Sequence, residues 1–117
     1  LHACLAPGGT LVVALPNILF WRQRLEFVSG RFRYTNRGLM DRTHYRFYDW
    51  ESAAALLTDS GYVIQRRVAD GGFPASRFVG QRLQSFVDTL ATAWFPGFFG
   101  WQFIFCCLSS SAAICRK

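Results

Sequence analysis

A helix stop and a strand follow each other in Leu5-Ala6-Pro7-Gly8-Gly9-Thr10-Leu11-Val12-Val13-Ala14-Leu15-Pro16-Asn17. Proline cannot continue a helix and glycine supplies a positive φ, so residues 1–5 are expected to be the last turn of a helix that stops here. The apolar, β-branched run at residues 10–15 predicts a fully buried strand inside a parallel sheet covered on both faces. Parallel strands need helical crossovers between them. Only Leu1 to Ala6 lie upstream, too few to supply a neighbouring strand or a crossover. We therefore expect the neighbouring strands to lie in sequence not present here.

The composition indicates one small domain, or part of one. The 117 residues are 51% hydrophobic and 17% aromatic, which is ample material for a core. The 12 Phe and 4 Trp residues predict either deep packing or surfaces that another part of the protein covers.

The formal net charge of +6 comes almost entirely from arginine. Between Arg22 and Arg46, seven arginines stand against Glu26 and Asp41. This run is either a solvated basic face or a loop that holds an anionic substrate, because arginine presents a planar fork to carboxylate or phosphate. Nucleic-acid binding is less favoured, since no RNP-type or helix-turn-helix pattern accompanies the basic residues.

The cysteines have no metal-binding pattern. No C-x-x-C occurs and the chain has only 2 His, so we expect no zinc site. Cys106 and Cys107 are adjacent and are predicted to point to opposite faces of a strand. We interpret them, with Cys4 and Cys115, as free thiols of a protein in a reducing compartment, which favours a cytoplasmic location.

Periodicity and turn residues predict the elements of the first half. Apolar residues at 18, 21, 25 and 28 predict a helix over residues 18–28 that Gly30 ends. Residues 31–48 mix aromatic and basic side chains without a period and predict a long ordered loop, which in compact domains is usually functional. Asp49 is expected to cap a helix over residues 50–60, because its carboxylate can accept from first-turn amides. Gly61 ends that helix.

The second half is predicted to contain a strand, a helix and a final strand. Residues 62–69 read as a strand, and residues 76–95 carry the apolar spacing of an amphipathic helix. Pro96-Gly97 ends this helix, and the aromatic residues 101–108 predict the last strand.

A rival interpretation concerns the same C-terminal region. No charged residue occurs from Thr89 to Cys115, and Arg116-Lys117 follow. A run of this length suits a membrane-attached module anchored by residues 89–115. The strand is favoured, because Pro96, Gly97 and Gly100 interrupt the apolar run.

An ordered series of short motifs runs through residues 1–72. The series is Leu5-Ala6-Pro7-Gly8-Gly9 with its strand and Pro16-Asn17, Phe20-Trp21-Arg22, Gly30-Arg31-Phe32-Arg33-Tyr34-Thr35, Asp41-Arg42-Thr43-His44-Tyr45-Arg46-Phe47-Tyr48, and Ser60-Gly61-Tyr62. It resembles class I S-adenosylmethionine-dependent methyltransferases, in the subgroup of MetW-like and other small-molecule methyltransferases.

The resemblance implies an α/β fold in which this chain forms the C-terminal part of a Rossmann-like methyltransferase sheet, with its last three strands and flanking helices. Residues 1–117 would then be the C-terminal portion of a single methyltransferase domain. Such enzymes resemble one another in a glycine-rich loop and an acidic residue that hold S-adenosylmethionine, by the logic of dinucleotide sites. No G-x-G-x-x-G occurs here. The resemblance therefore implies an absent N-terminal cofactor-binding half, and an acceptor-side half that is inactive alone.

Candidate site residues follow from this comparison and from residue chemistry. Histidine is the side chain that ordinarily changes protonation near neutral pH, so His44 is the candidate base, and Asp41 is a candidate to orient its ring. Alternatively, both residues only hold the loop in place. Asn17 follows the strand at the edge where open α/β sheets place ligands, so it either touches substrate or cofactor or caps a turn. The candidate residues for binding a small, anionic acceptor are Asn17, Arg31, Tyr34, Arg42 and Arg46.

Overall fold

Three strands and four helices make up the described part of the chain. The computed structural model describes residues 5, 8–42, 44, 46–73, 78 and 80–109. The strands are β1 (Thr10–Pro16), β2 (Tyr62–Gly71) and β3 (Gly100–Ser109). The helices are α1 (Trp21–Val28), α2 (Trp50–Asp59), α3 (Gln81–Trp94) and the single turn α4 (Pro96–Phe99).

The strands form one sheet in the order β1-β3-β2, and β3 is antiparallel to both neighbours. Val13 on β1 pairs with Phe105, and Ile64 on β2 pairs with Cys107. Because β1 and β2 are each antiparallel to β3, they run parallel to each other. The predicted mixture of helices and strands is confirmed. The expectation that β1 lies between parallel neighbours is wrong for the described residues, since its hydrogen-bonded partner is the antiparallel β3.

One face of the sheet packs against α2 and forms the core. The buried residues of this core are Ala53, Leu57, Tyr62, Phe103, Phe105 and Cys107. Leu11, Val13 and Leu15 of β1 pack against the same cluster. Val12 points to the opposite face and is 65% exposed. The prediction of a strand covered on both faces is therefore wrong within the described chain, because alternate side chains of a strand point to opposite sides and only one side is covered here.

The adjacent cysteines lie on opposite faces of β3, as predicted. Cys107 is buried in the core, whereas Cys106 is half-buried on the other face. Burial raises the pKa of the Cys107 thiol, with a smaller contribution from Cys106. Because a buried thiol without charged neighbours loses thiolate character, Cys107 is a packing residue and not a nucleophile.

Asp49 caps α2, as predicted. Its carboxylate accepts the backbone N–H of Ser52 at 2.7 Å, and the Ser52 hydroxyl accepts the Asp49 N–H at 2.9 Å. This reciprocal pair is a capping box. The bond from the Ser52 backbone N–H lowers the pKa of Asp49, because it stabilises the charged carboxylate. At the other end, Gly61 has a φ of 83°, the left-handed conformation that ends a helix.

Two predicted helix starts differ from the structure. α1 begins at Trp21 and not at Ile18, because the Asn17 side chain accepts the Leu19 N–H at 2.9 Å and holds residues 18–20 in a turn. α3 begins at Gln81, and residues 74–77 and 79 lie outside the described residues. Cys4, Cys115 and most of the predicted N-terminal turn at residues 1–5 also lie outside them.

The predicted C-terminal strand is confirmed, because β3 occupies Gly100–Ser109. α3 ends at Trp94, and α4 connects it to β3. A side chain on Gly71 would overlap the carbonyl oxygen of Phe99, so the close approach of β2 to α4 requires glycine there. Within the described ranges, no helix combines the length and the apolar character needed to cross a membrane.

Asp49→Ala removes the carboxylate that accepts the Ser52 backbone N–H and hydroxyl, so we expect it to lower the free energy of unfolding by about 1 kcal/mol near neutral pH. The native pKa of Asp49 is lowered, so this contribution is complete above the unfolded-state value of about 3.9 and is lost as the pH falls through the native value. Urea unfolding at several pH values measures it. Asp59→Ala, at the other end of α2, is the control. Equal loss in both variants would contradict the assignment.

Candidate functional site

A cleft of about 870 Å³ opens beside the end of β1. α1 forms one wall, the loop of residues 31–40 forms a second, and Trp101 at the start of β3 contributes a third. Its charged lining residues are Arg22, Glu26, Arg31, Arg33 and Arg37. Its main apolar lining residues are Phe20, Trp21, Leu39, Met40 and Trp101. We call this site the α1 cleft.

Asn17 holds the elements around the α1 cleft together. Its side chain is fully buried, and its amide donates to the carbonyl oxygens of Gly97 at 3.0 Å and Gly100 at 2.7 Å. The Asn17 backbone N–H donates to the Trp101 carbonyl oxygen at 3.0 Å. With the bond from Leu19, this one residue joins the end of β1, the turn before α1 and the junction of α4 with β3. Asn17 therefore performs the turn-capping role, and its amide faces backbone and not the cleft.

The α1 cleft is rich in positive charge. Arg31 lies 3.8 Å from Glu26, and both side chains are about half exposed, so this pair is weak. Arg22, Arg33 and Arg37 have no ion-pair partner among the residues that the structure describes. Three guanidinium groups thus face solvent or the cleft without a neutralising carboxylate. A carboxylate or phosphate suits such groups, because a guanidinium group can donate two parallel N–H hydrogen bonds to two oxygens of the same anion.

Aromatic rings surround the same cleft. The Phe20 ring centre lies 5.6 Å from that of Trp21 and 6.1 Å from that of Trp101, the latter edge to face. The indole Nε1 of Trp21 is buried and has no hydrogen-bond partner among the described residues. Such a donor costs free energy until it is satisfied. The aromatic walls, the indole N–H of Trp21 that lacks a described partner, and the nearby guanidinium groups favour a planar or apolar ligand that carries an anionic group.

The loop that carries the arginines is ordered by its own hydrogen bonds. The Thr35 N–H donates to the Met40 carbonyl oxygen at 2.8 Å, and the Arg42 N–H donates to the Thr35 carbonyl oxygen at 3.2 Å. Leu39 and Met40 are buried and anchor the loop to the body of the protein. The predicted ordered loop at residues 31–48 is confirmed for its described residues. Its tip is therefore positioned by packing and by backbone bonds.

His44 does not line the α1 cleft, but its ring contacts Leu39, which does. Its Nδ1 is 3.2 Å from the Leu39 carbonyl oxygen, and its backbone N–H donates to the Asp41 carbonyl oxygen at 3.0 Å. A carbonyl only accepts, so this contact requires the hydrogen on Nδ1 and leaves Nε2 as the basic nitrogen of the neutral ring. Leu39 thus orients the ring at Nδ1, the task that the sequence suggested for Asp41.

The other predicted binding residues are spread around the cleft. Arg31 lines it, as the charge pattern suggests. The Tyr34 ring packs edge to face on Phe32 at 5.6 Å and against Phe47 at 6.5 Å, outside the cleft lining. Arg42 and Arg46 are exposed and are not among the cleft-lining residues. The structure therefore brings Arg31 to the cleft and leaves Tyr34, Arg42 and Arg46 on the loop around it.

Several cleft residues were not predicted as site residues. Arg22, Arg33 and Arg37 belong to the arginine run, but their spacing alone does not separate them from Arg42 and Arg46. Trp101 is far from α1 in sequence and reaches the cleft only because β3 pairs beside β1. No local sequence signal identifies such a residue, since its position depends on strand order.

A second groove of about 690 Å³ lies between α3 and β2. Its charged groups are already engaged within the protein. Asp88 accepts the Phe73 N–H at 2.8 Å, and Asp70 accepts from Gln102 at 3.3 Å. Arg67 stacks over Trp50 with its Cζ 4.8 Å from the ring centre. The α1 cleft, in which Arg22, Arg33 and Arg37 have no ion-pair partner among the described residues, is therefore the better candidate for a ligand site.

No protein-family model matches the chain, and no curated protein matches it at a significant level.

Asn17→Ala should destabilise the protein by about 3 kcal/mol, because it leaves two carbonyl oxygens and one N–H without partners at a buried site. Thermal and urea unfolding measure this loss. Asn36→Ala, at an exposed position in the loop, is the matched control and should change the free energy of unfolding by less than about 0.5 kcal/mol. Equal stabilities of the two variants would show that the Asn17 amide does not join these elements.

Proposed function

We propose that this chain is the acceptor-side half of an S-adenosylmethionine-dependent methyltransferase, and that the α1 cleft holds a small anionic acceptor. The observation that carries the proposal is the position of the cleft. Unpaired guanidinium groups and aromatic rings converge beside the end of β1. The carboxyl edge of an open α/β sheet is where such folds bind ligands.

The sheet supports the methyltransferase assignment. β1 and β2 run parallel and are connected through α1 and α2, which is the arrangement from which doubly wound sheets are built. β3 adds an antiparallel strand, and mixed sheets of this kind occur among large α/β folds. Val12 leaves one face of β1 open, and under this proposal the cofactor-binding half of the domain covers it.

The described residues do not fit S-adenosylmethionine. The chain has no glycine-rich loop of the G-x-G-x-x-G type, and the polar side chain at the end of β1, Asn17, is saturated by backbone partners. Under this proposal the cofactor is held by a cofactor-binding half outside these residues. The contribution of this chain is to bind and orient the acceptor.

The α1 cleft suits an acceptor that pairs an anionic group with a ring. Arg33 and Arg37 would bind a carboxylate or phosphate, because forked guanidinium donors match their oxygens. Trp21 and Trp101 would flank the apolar part. Glu26, the one acidic lining residue described, pairs loosely with Arg31 and disfavours a second anionic group on that side. Holding the acceptor in one orientation is the main requirement of a one-step displacement.

His44 is the proposed proton acceptor. Its Nδ1 is engaged by the Leu39 carbonyl oxygen, so its Nε2 is free to take a proton from a hydroxyl, thiol or amine of the acceptor. Leu39 itself lines the cleft, so the imidazole is in hydrogen-bond contact with a residue of the cleft wall. A shift of the loop on acceptor binding would bring Nε2 to the acceptor.

The cleft proposal predicts measurable binding of a simple aromatic anion. The probes are benzoate and inorganic phosphate, and benzyl alcohol is the neutral control. Binding is measured from changes in the ¹H–¹⁵N chemical shifts of this chain. We expect saturable shifts around Trp21 and Trp101 with benzoate, and about tenfold weaker binding in Arg33→Gln. Arg66→Gln, on β2, is the matched control. Equal shifts with benzyl alcohol would exclude an anion site.

The catalytic proposal predicts that replacing His44 lowers activity far more than it lowers stability. In the full-length protein, with S-adenosylmethionine labelled in its methyl group, we expect label in a small-molecule fraction. His44→Ala should lower kcat by about 100- to 10,000-fold, the usual contribution of a positioned base, while loss of the single bond to Leu39 should lower the free energy of unfolding by only about 1 kcal/mol. Arg66→Gln should keep full activity. Unchanged kinetics in His44→Ala would remove His44 from catalysis, and absence of any methyl transfer would overturn the proposed function.

A further inference from the structure

α3 turns its apolar side away from the protein. Its large apolar side chains Leu83, Phe86, Leu90 and Trp94 are 53%, 60%, 44% and 76% exposed. At about 100° per residue these positions fall on one narrow stripe. Gln84, Asp88 and Thr92 lie on the opposite side and face the groove against β2. In most amphipathic surface helices the apolar side faces the core, whereas in α3 the apolar side faces outward and the polar side faces the protein.

The exposed stripe continues into α4. Phe95 is 60% exposed and Phe98 is 41% exposed, directly after Trp94. The two rings are held in place by contacts with Phe99, at 6.4 Å and 4.9 Å between ring centres. We call the surface formed by Leu83, Phe86, Leu90, Trp94, Phe95 and Phe98 the aromatic ridge. A contiguous apolar ridge of this kind marks an interaction surface.

The charges around the aromatic ridge are positive. Arg82 lies on α3 at the edge of the stripe, and the Arg24 guanidinium carbon lies 5.2 Å from the centre of the Phe98 ring. The one acidic residue of α3, Asp88, is on the opposite side and accepts the Phe73 N–H at 2.8 Å. Arginine thus stands at both ends of the ridge, and the net charge of the chain is +6.

We propose that the aromatic ridge lies in the interface of an anionic lipid membrane. Trp, Phe and Leu on one side of a helix with arginine at its margins is the composition of helices that lie in the plane of a membrane surface. Fluid acyl chains can cover such an exposed ridge without a partner surface of complementary shape. At 14 residues α3 is about 21 Å long, which suits a helix lying in the interface.

This proposal differs from an anchor that spans the membrane over residues 89–115. β3 takes up residues 100–109 within the sheet, so the apolar residues of that strand are not available for insertion. The lipid contact comes instead from the side of α3 and from α4. It is independent of the proposed methyl transfer and of the α1 cleft.

Vesicle co-sedimentation tests the ridge. We expect the full chain to bind vesicles of phosphatidylglycerol mixed with phosphatidylcholine, and to bind phosphatidylcholine alone at least tenfold less. Phe86→Ser combined with Trp94→Ser should lower the partition coefficient more than tenfold, since both side chains are largely exposed and the fold does not depend on them. Val28→Ser is the matched control, because Val28 is 87% exposed on α1.

A second measurement does not depend on destabilising variants. Brominated acyl chains should quench Trp94 fluorescence in the wild-type protein, and the quenched component should disappear in Trp94→Phe while binding persists. Failure of the wild-type protein to bind anionic vesicles would overturn the proposal. Equal binding to neutral vesicles, or undiminished binding of the double variant, would also overturn it. Self-association abolished by the double variant, without vesicle binding, would assign the ridge to a second copy of the chain instead.

Discussion

The buried amide of Asn17 is the interaction on which this structure most depends. Its hydrogens satisfy the carbonyl oxygens of Gly97 and Gly100, and its oxygen satisfies the N–H of Leu19. A buried amide of this kind has no other way to be satisfied, so β1, the turn before α1 and the α4–β3 junction must adopt one arrangement. The close approach of Gly71 to Phe99 supports this arrangement, because the absence of a side chain on Gly71 lets α4 approach β2.

The α1 cleft follows from this junction. β3 enters the sheet beside β1, so Trp101 comes to lie against Phe20, although the two are distant in sequence. The loop of residues 31–40 contributes its arginines to the cleft, and the buried side chains of Leu39 and Met40 hold this loop against the protein. Positive charge on ordered backbone, with aromatic walls, reduces the entropic cost of holding an anionic ring. This arrangement is the physical basis for the proposal that an anionic ligand binds on this side of the sheet.

The exposed aromatic residues have two different explanations. Those near the cleft have ring partners within the protein, as Phe32 has with Phe27 and Tyr34. Those of the aromatic ridge are held by the α3–α4 turn but face outward, because the polar side of α3 packs toward β2. The sequence composition allowed either deep packing or surfaces that need covering. The structure shows deep packing at Phe103 and Phe105 and an exposed apolar ridge on α3 and α4.

Local signals in the sequence determined much of the secondary structure. The Asp49 cap, the Gly61 stop and the aromatic run of β3 were predictable because each depends on neighbouring residues. Arg31 belongs to the arginine run that predicted an anion-binding loop, but charge alone does not separate it from Arg42 and Arg46, which lie outside the cleft lining. The sequence could not indicate that β1 pairs with an antiparallel strand, that Trp101 joins the cleft, or that α3 faces outward. Strand order and the orientation of a helix are set by contacts between distant residues, and periodicity shows only that a helix has an apolar side, without showing which way that side points.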